Sequence, residues 1–124
     1  MKYPGMRKEL IDYLFGLSDL KYQRDCWVSG NCPNGIEHDE FDYVVHFLFD
    51  DTELSSNAKS LVGYLLKDEH EANLVQNLCQ KIEDIFDKYG TDLSDSEYIN
   101  CSEWGEVVLA AKEAHAIISL EQEA

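Results

Sequence analysis

Three sets of side chains in this sequence have the types and spacing to do chemistry. Cys26, Cys32, His38 and His46 are all donors that a transition metal accepts. Structural zinc sites, however, use pairs roughly two to four residues apart, and no such pair occurs here. Asp50 and Asp51 are adjacent carboxylates of the kind that hold Mg²⁺ or share acid and base duties. Adjacent acids at a helix end are more simply solvated. The third set is Asp42, His46 and Asp50, spaced four residues apart. On a helix the two carboxylates would flank the imidazole, favour its charged form and raise its pKa. Such a histidine would weaken an anionic binding face as it charges. No nucleophile elbow, phosphate loop or dinucleotide fingerprint is present. We therefore expect no catalytic residue, no metal site, no cofactor and no enzymatic activity.

The element that must position these groups runs from Glu37 to Glu53. Phe41, Val44, Val45 and Leu48 recur at i, i+3, i+4 and i+7, the spacing of one helical face. The opposite side then carries Asp39, Asp42, Tyr43, His46 and Asp50, with Glu53 following if the helix extends that far. Acids in the first turn suit the helix dipole, but Asp50 and Asp51 would oppose it at the far end. A local rule broken without structural gain points to function. The competing reading is a strand, because Tyr43–Phe49 is rich in β-branched and aromatic residues.

The remaining elements read as helices. Leu10, Ile11, Leu14, Phe15 and Leu17 repeat with helical period from about Met6. Ser18 or Asp19 caps a second helix running to about Val28. Ser29–Glu37 and Thr52–Ser60 read as loops, and Leu61–Leu66 as a brief strand or one helical turn. Asp68 with Glu71 opens the clearest helix, with Leu74, Val75, Leu78, Ile82, Ile85, Phe86 and Tyr89 inward and Gly90 as its stop. Ser94 with Glu97 repeats that box. In the last helix Trp104, Val107, Val108, Ala111, His115 and Ile118 share a side, and Glu121–Ala124 should fray. The expected fold is all-α, one domain over residues 1–124 with five to six packed helices. The alternative is α+β with a short strand pair around 43–49 and 61–66.

Charge sets the partner class. Twenty-five acids against ten bases in 124 residues give a net charge of −15. That field disfavours nucleic acid and anionic membrane and raises association rates with basic proteins. The acid is also blocked. No Lys or Arg lies between Arg24 and Lys59, and none between 89 and 111. The N-terminal residues show no secretory pattern and no stretch is long enough for a membrane span, so we expect a cytoplasmic protein. Its four cysteines (Cys26, Cys32, Cys79 and Cys101) are then most simply reduced thiols, Cys79 among them a small core residue.

Several segments resemble a family of small acidic bacterial proteins that includes immunity proteins of contact-dependent growth-inhibition toxin systems. They are Met6–Ile11, Trp27–Val28, Asp42–Asp51 with its Val-His-Phe-Leu-Phe-Asp-Asp ending, Gly63–Leu66, and Ser94–Ile99 leading to Trp104. Their order and spacing carry the resemblance. It implies a helical domain that binds a cognate toxin C-terminal domain, often a basic nuclease, and blocks its basic surface or active site. It supplies no contact residues, and Cys26 and Cys32 lie outside its pattern. From the residues themselves we expect the contact face to be Asp39, Asp42, Tyr43, His46, Asp50, Asp51 and Glu53. The alternative function is an acidic adaptor or regulatory domain with a non-toxin partner. The oligomeric state is left open.

Overall fold

The computed structural model describes the backbone of residues 1–123 and the side chains of residues 1–120. Among the described residues there are seven α-helices and no strand. They are α1 (Pro4–Ser18), α2 (Leu20–Tyr22), α3 (Phe41–Val45), α4 (Leu54–Asn57), α5 (Glu69–Tyr89), α6 (Asp95–Ile99) and α7 (Trp104–Glu123). Both α2 and α3 widen into π-helical segments, at Gln23–Val28 and His46–Asp51. A 3₁₀ turn (Ala58–Leu61) follows α4.

The chain is the single all-helical domain expected from its periodicity. Helix α7 packs against both α1 and α5. It buries Trp104, Val107, Ala110, Ala111, Ala114 and Ile118, a stripe rotated from the expected one toward Ala110 and Ala114. Val108 and His115 are only half-buried at its edges. Helix α1 begins with Pro4, whose fixed φ and missing N–H suit a first turn, and buries Leu10, Leu14 and Leu17. The Asp68 carboxylate accepts from the Glu71 N–H at 3.0 Å, and Gly90 at φ 85° ends α5. The full Ser94/Glu97 capping box forms at α6.

Arg7, Glu71 and Gln23 are polar side chains buried in the core. Arg7 reaches Glu71 through two contacts of 2.8 and 2.9 Å, and also donates to the carbonyls of Leu65 and Ile118. Glu71 therefore does not close the box with Asp68; its carboxylate takes Arg7 and the Lys67 N–H instead. Gln23 donates to the Gly16 and Leu17 carbonyls and accepts from Trp104 Nε1 at 2.9 Å. Arg7 and Glu71 meet 64 positions apart and Gln23 meets Trp104 81 apart, and such hydrogen bonds offset the desolvation of buried polar groups.

Three expectations are corrected. Residues 43–49 are helical, and 61–66 is a tight turn with an isolated Val62–Leu66 bridge, so the strand pair does not form. The stretch read as a loop at 52–60 holds α4, because Leu54 and Ala58, one turn apart, are both buried. Cys26 and Cys32 are not free thiols but a disulfide, with Cα atoms 4.3 Å apart. The π-helical end of α2 and the turn at 29–31 bring them together. Cys79 is a buried core thiol, as expected, and burial pushes its pKa up to about 12. The expected fraying at Glu121–Ala124 concerns side chains, and for Ala124 a backbone, outside the described residues.

Candidate functional site

Helix α3 owes its position to its first residue. Phe41 is buried in an aromatic cluster, with ring centroids of Trp104 at 5.1 Å, Tyr98 at 5.4 Å and Trp27 at 5.8 Å. Its N–H donates to the Asp95 carboxylate at 3.1 Å, so α6 caps α3 from across the fold. Val44, Phe47 and Leu48 continue the buried side. Phe47 was not on the expected face. The π-helical widening at His46 shifts the period, and Phe47 packs on Tyr13 of α1 at 4.9 Å. Val45 is correspondingly only half-buried.

The seven expected contact residues divide into two neighbouring stripes and a corner. Asp42, His46 and Asp50 form the outer stripe. His46 Nδ1 lies 2.7 Å from Asp50 Oδ2 and its Nε2 3.3 Å from Asp42 Oδ2, all three side chains being more than half exposed. The hydrogen bond to Asp50, then the charge of Asp42, raise the His46 pKa. Asp39, Tyr43 and Asp51 turn toward α1. Tyr13 titrates above the ordinary tyrosine value, first because of burial and then because of Glu9, Asp39, Asp51 and Tyr43. Glu53 is the corner, exposed and left-handed at φ 55° before α4.

Asp39 departs from its expected role as an open contact. It is half-buried, accepting from Tyr22 Oη at 2.6 Å, Trp27 Nε1 at 3.0 Å and the Glu40 N–H at 2.9 Å. Tyr22 is held above the ordinary range by burial and by this bond. Asp39 thus locks the segment after the disulfide onto α2.

The two acid blocks differ once folded. In the second, Glu103 accepts from Lys88 at 2.6 Å, Tyr89 at 2.8 Å and Ser102 at 2.8 Å, and is held down to about 2. Glu106 faces Lys81 at 3.5 Å, Glu97 serves its own cap and Asp95 caps α3. In the first block Asp25 pairs with Lys21, but Asp42 and Asp50 meet only His46 among the described ion pairs. Lys59 pairs with Glu69. The α3 face therefore keeps its charge while the other block spends much of its own.

Sequence reasoning missed a concavity beside α3. A groove of about 820 Å³ lies between α1 and the 33–43 segment. Tyr43 and Asp39 line it together with Glu9, Asp12, Tyr13 and Ile36. It draws on residues from Glu9 to His115, so no local pattern announces it. No three His, Cys, Asp or Glu side chains among the described residues converge as a metal site would require. No helix among them is long and apolar enough to cross a membrane.

Fold and surface together define a small all-helical domain with an uncompensated anionic face. The chain belongs to the family described as Domain of unknown function (DUF7945), whose model matches residues 1–124. No curated protein and no solved structure matches it.

Proposed function

We propose that this domain is a non-catalytic, stoichiometric inhibitor of a basic protein, acting as an immunity protein that covers the basic surface or active site of a cognate toxin domain of nuclease type. The observation that carries this reading is the Asp42–His46–Asp50 stripe, fixed by a buried underside and lacking any Lys or Arg partner among the described ion pairs. Carboxylates at one- and two-turn intervals present acceptors to lysines and arginines that otherwise bind phosphates. Tyr43, 43% exposed, supplies an aromatic anchor on the same helix.

The reading places action in the cytoplasm, where a 26–32 disulfide would tend to be reduced. The acidic stripe lies on α3 and its π continuation, outside that loop, so its charge does not depend on the cysteines.

The test is co-expression with the product of the adjacent reading frame, followed by co-purification and a growth-protection assay. A 1:1 complex and protection are expected. Asp42→Lys with Asp50→Lys should slow association by about tenfold or more at low salt. Failure to bind the neighbouring product, with capture of an unrelated basic regulator instead, would favour the adaptor alternative.

A further inference from the structure

We infer that the groove between α1 and the 33–43 segment receives an arginine side chain flanked by a large apolar residue, both on one linear segment of the basic partner. This rests on the proposed function for the partner's charge, and names the place where that partner is anchored.

The groove has the two properties such a segment needs. Its walls are apolar and aromatic, and unusually open for side chains of that type: Phe15 is 44% exposed, Tyr43 43% and Ile36 39%. Exposed apolar side chains gathered into one concavity mark a docking surface more than scattered ones do. Its rim is acidic. Glu9 and Asp12 are both exposed and three residues apart on α1, so they share a face of that helix, while Asp39 opposite is held by Tyr22 and Trp27 and adds only its charge. Among the described residues no Lys or Arg lines it; His38, which faces Glu40 at 2.8 Å, and His115 do.

Charge complementarity therefore selects a cation and excludes phosphate-bearing partners. The aromatic walls select the kind of cation. A guanidinium is planar, weakly hydrated and stacks on tyrosine faces, whereas an ammonium is compact and strongly hydrated. Tyr43 offers an exposed ring of this kind, beside the half-buried rings of Tyr13 and Tyr22. The volume, near the top of the range for a single small-ligand site, leaves room for the neighbouring apolar side chain against Ile11, Phe15 and Pro33. The groove adjoins the outer stripe through Tyr43, so one partner can span both.

The experiment is an amide chemical-shift titration of the whole protein with the peptide Ac-Leu-Arg-Phe-NH₂, and with the same peptide carrying neutral citrulline in place of arginine. Saturable shifts centred on Tyr13, Phe15, Tyr22 and Ile36 are expected. Affinity should fall by about fivefold or more with citrulline, and likewise with Glu9→Gln/Asp12→Asn, and by clearly less with Asp42→Asn/Asp50→Asn. Equal binding of the citrulline peptide, shifts confined to the Asp42–Asp50 stripe, or no shifts at millimolar peptide would each overturn the inference. With the neighbouring gene product as partner, a Glu9→Gln/Asp12→Asn protein that inhibits as well as the wild type overturns the groove and leaves the proposed function standing. A wild-type protein that fails to inhibit overturns the proposed function, and the peptide titration then decides the groove alone.

Discussion

His46 couples two titrating effects of opposite sign. Its folded pKa is raised by Asp50 and Asp42 above the ordinary 6.5. The stability it contributes is complete below that ordinary value and is lost as pH rises through the raised one. Binding runs the other way, because a protonated His46 cancels part of the stripe that a basic partner needs. Association with the partner should therefore quicken as pH rises through the raised value, and His46→Gln should flatten that dependence; stopped-flow rates across the range would show it. Arg7 answers to burial instead. With its side chain 3% exposed against 1% for Glu71, Arg7→Met leaves a carboxylate buried without its cation, expected to cost about 3–5 kcal/mol in urea unfolding. Replacing both residues by methionine should recover most of that loss, since the paired charges are weak net stabilisers once both are removed. Neither residue's partnership was legible beforehand. Arg7 and Glu71 are 64 positions apart, and the capping-box pattern assigned the glutamate to Asp68.

At the scale of elements, α3 combines a firmly anchored start with an electrostatically costly setting. Asp95 caps Phe41, yet its pKa is raised, first by burial and then by Glu40, Asp39 and Asp42, against the lowering effect of that hydrogen bond. A carboxyl raised on folding contributes stability that is present at low pH and lost as pH climbs through its folded value. Asp95→Asn keeps an acceptor for the Phe41 N–H and removes the charge, so it should raise the melting temperature at neutral pH, whereas Asp95→Ala should lower it through the lost cap. The 26–32 bridge closes a short loop, so reduction should remove about 2 kcal/mol, read from melts with and without reductant. The long helices were legible because α5 and α7 keep a 3.6-residue period and α5 also carries recognisable ends in Asp68 and Gly90. The π-helical segments were not, since the same period was assumed through Gln23 and His46, which is why Phe47 was left out of the inner face and Val45 placed in it. The disulfide was hidden for a different reason: the compartment argument concerned the cell, while the pairing follows from how α2 ends.

Over the whole molecule the net charge of −15 opposes folding, and toward the proposed basic partner it would favour binding. The anionic stripe was legible because a run of residues without bases needs no three-dimensional knowledge to recognise. Whether it stayed uncompensated was not, because Lys81 and Lys88 of α5 neutralise much of the second acid block from a distant part of the sequence. The groove was illegible for the same reason: Glu9 and Asp12 meet Asp39 and Tyr43 only after α1 docks. What results is a fold that keeps like charges close at α3, with Asp95 among them, while its bases serve other faces. Added salt shortens the range of that repulsion to about 8–10 Å at physiological ionic strength and so should stabilise the free protein. The same screening removes the attraction toward a basic partner. The melting temperature of the isolated domain should therefore rise between low and moderate salt while the association rate falls steeply, and the dissociation rate, set by close contacts, should change far less. Sodium chloride and guanidinium-free potassium salts should act alike, because the effect is ionic strength and not a bound ion. If instead salt lowered the melting temperature, the carboxylates of α3 would have to be engaged by cations of their own chain, and the anionic face would be a structural network and not a binding surface.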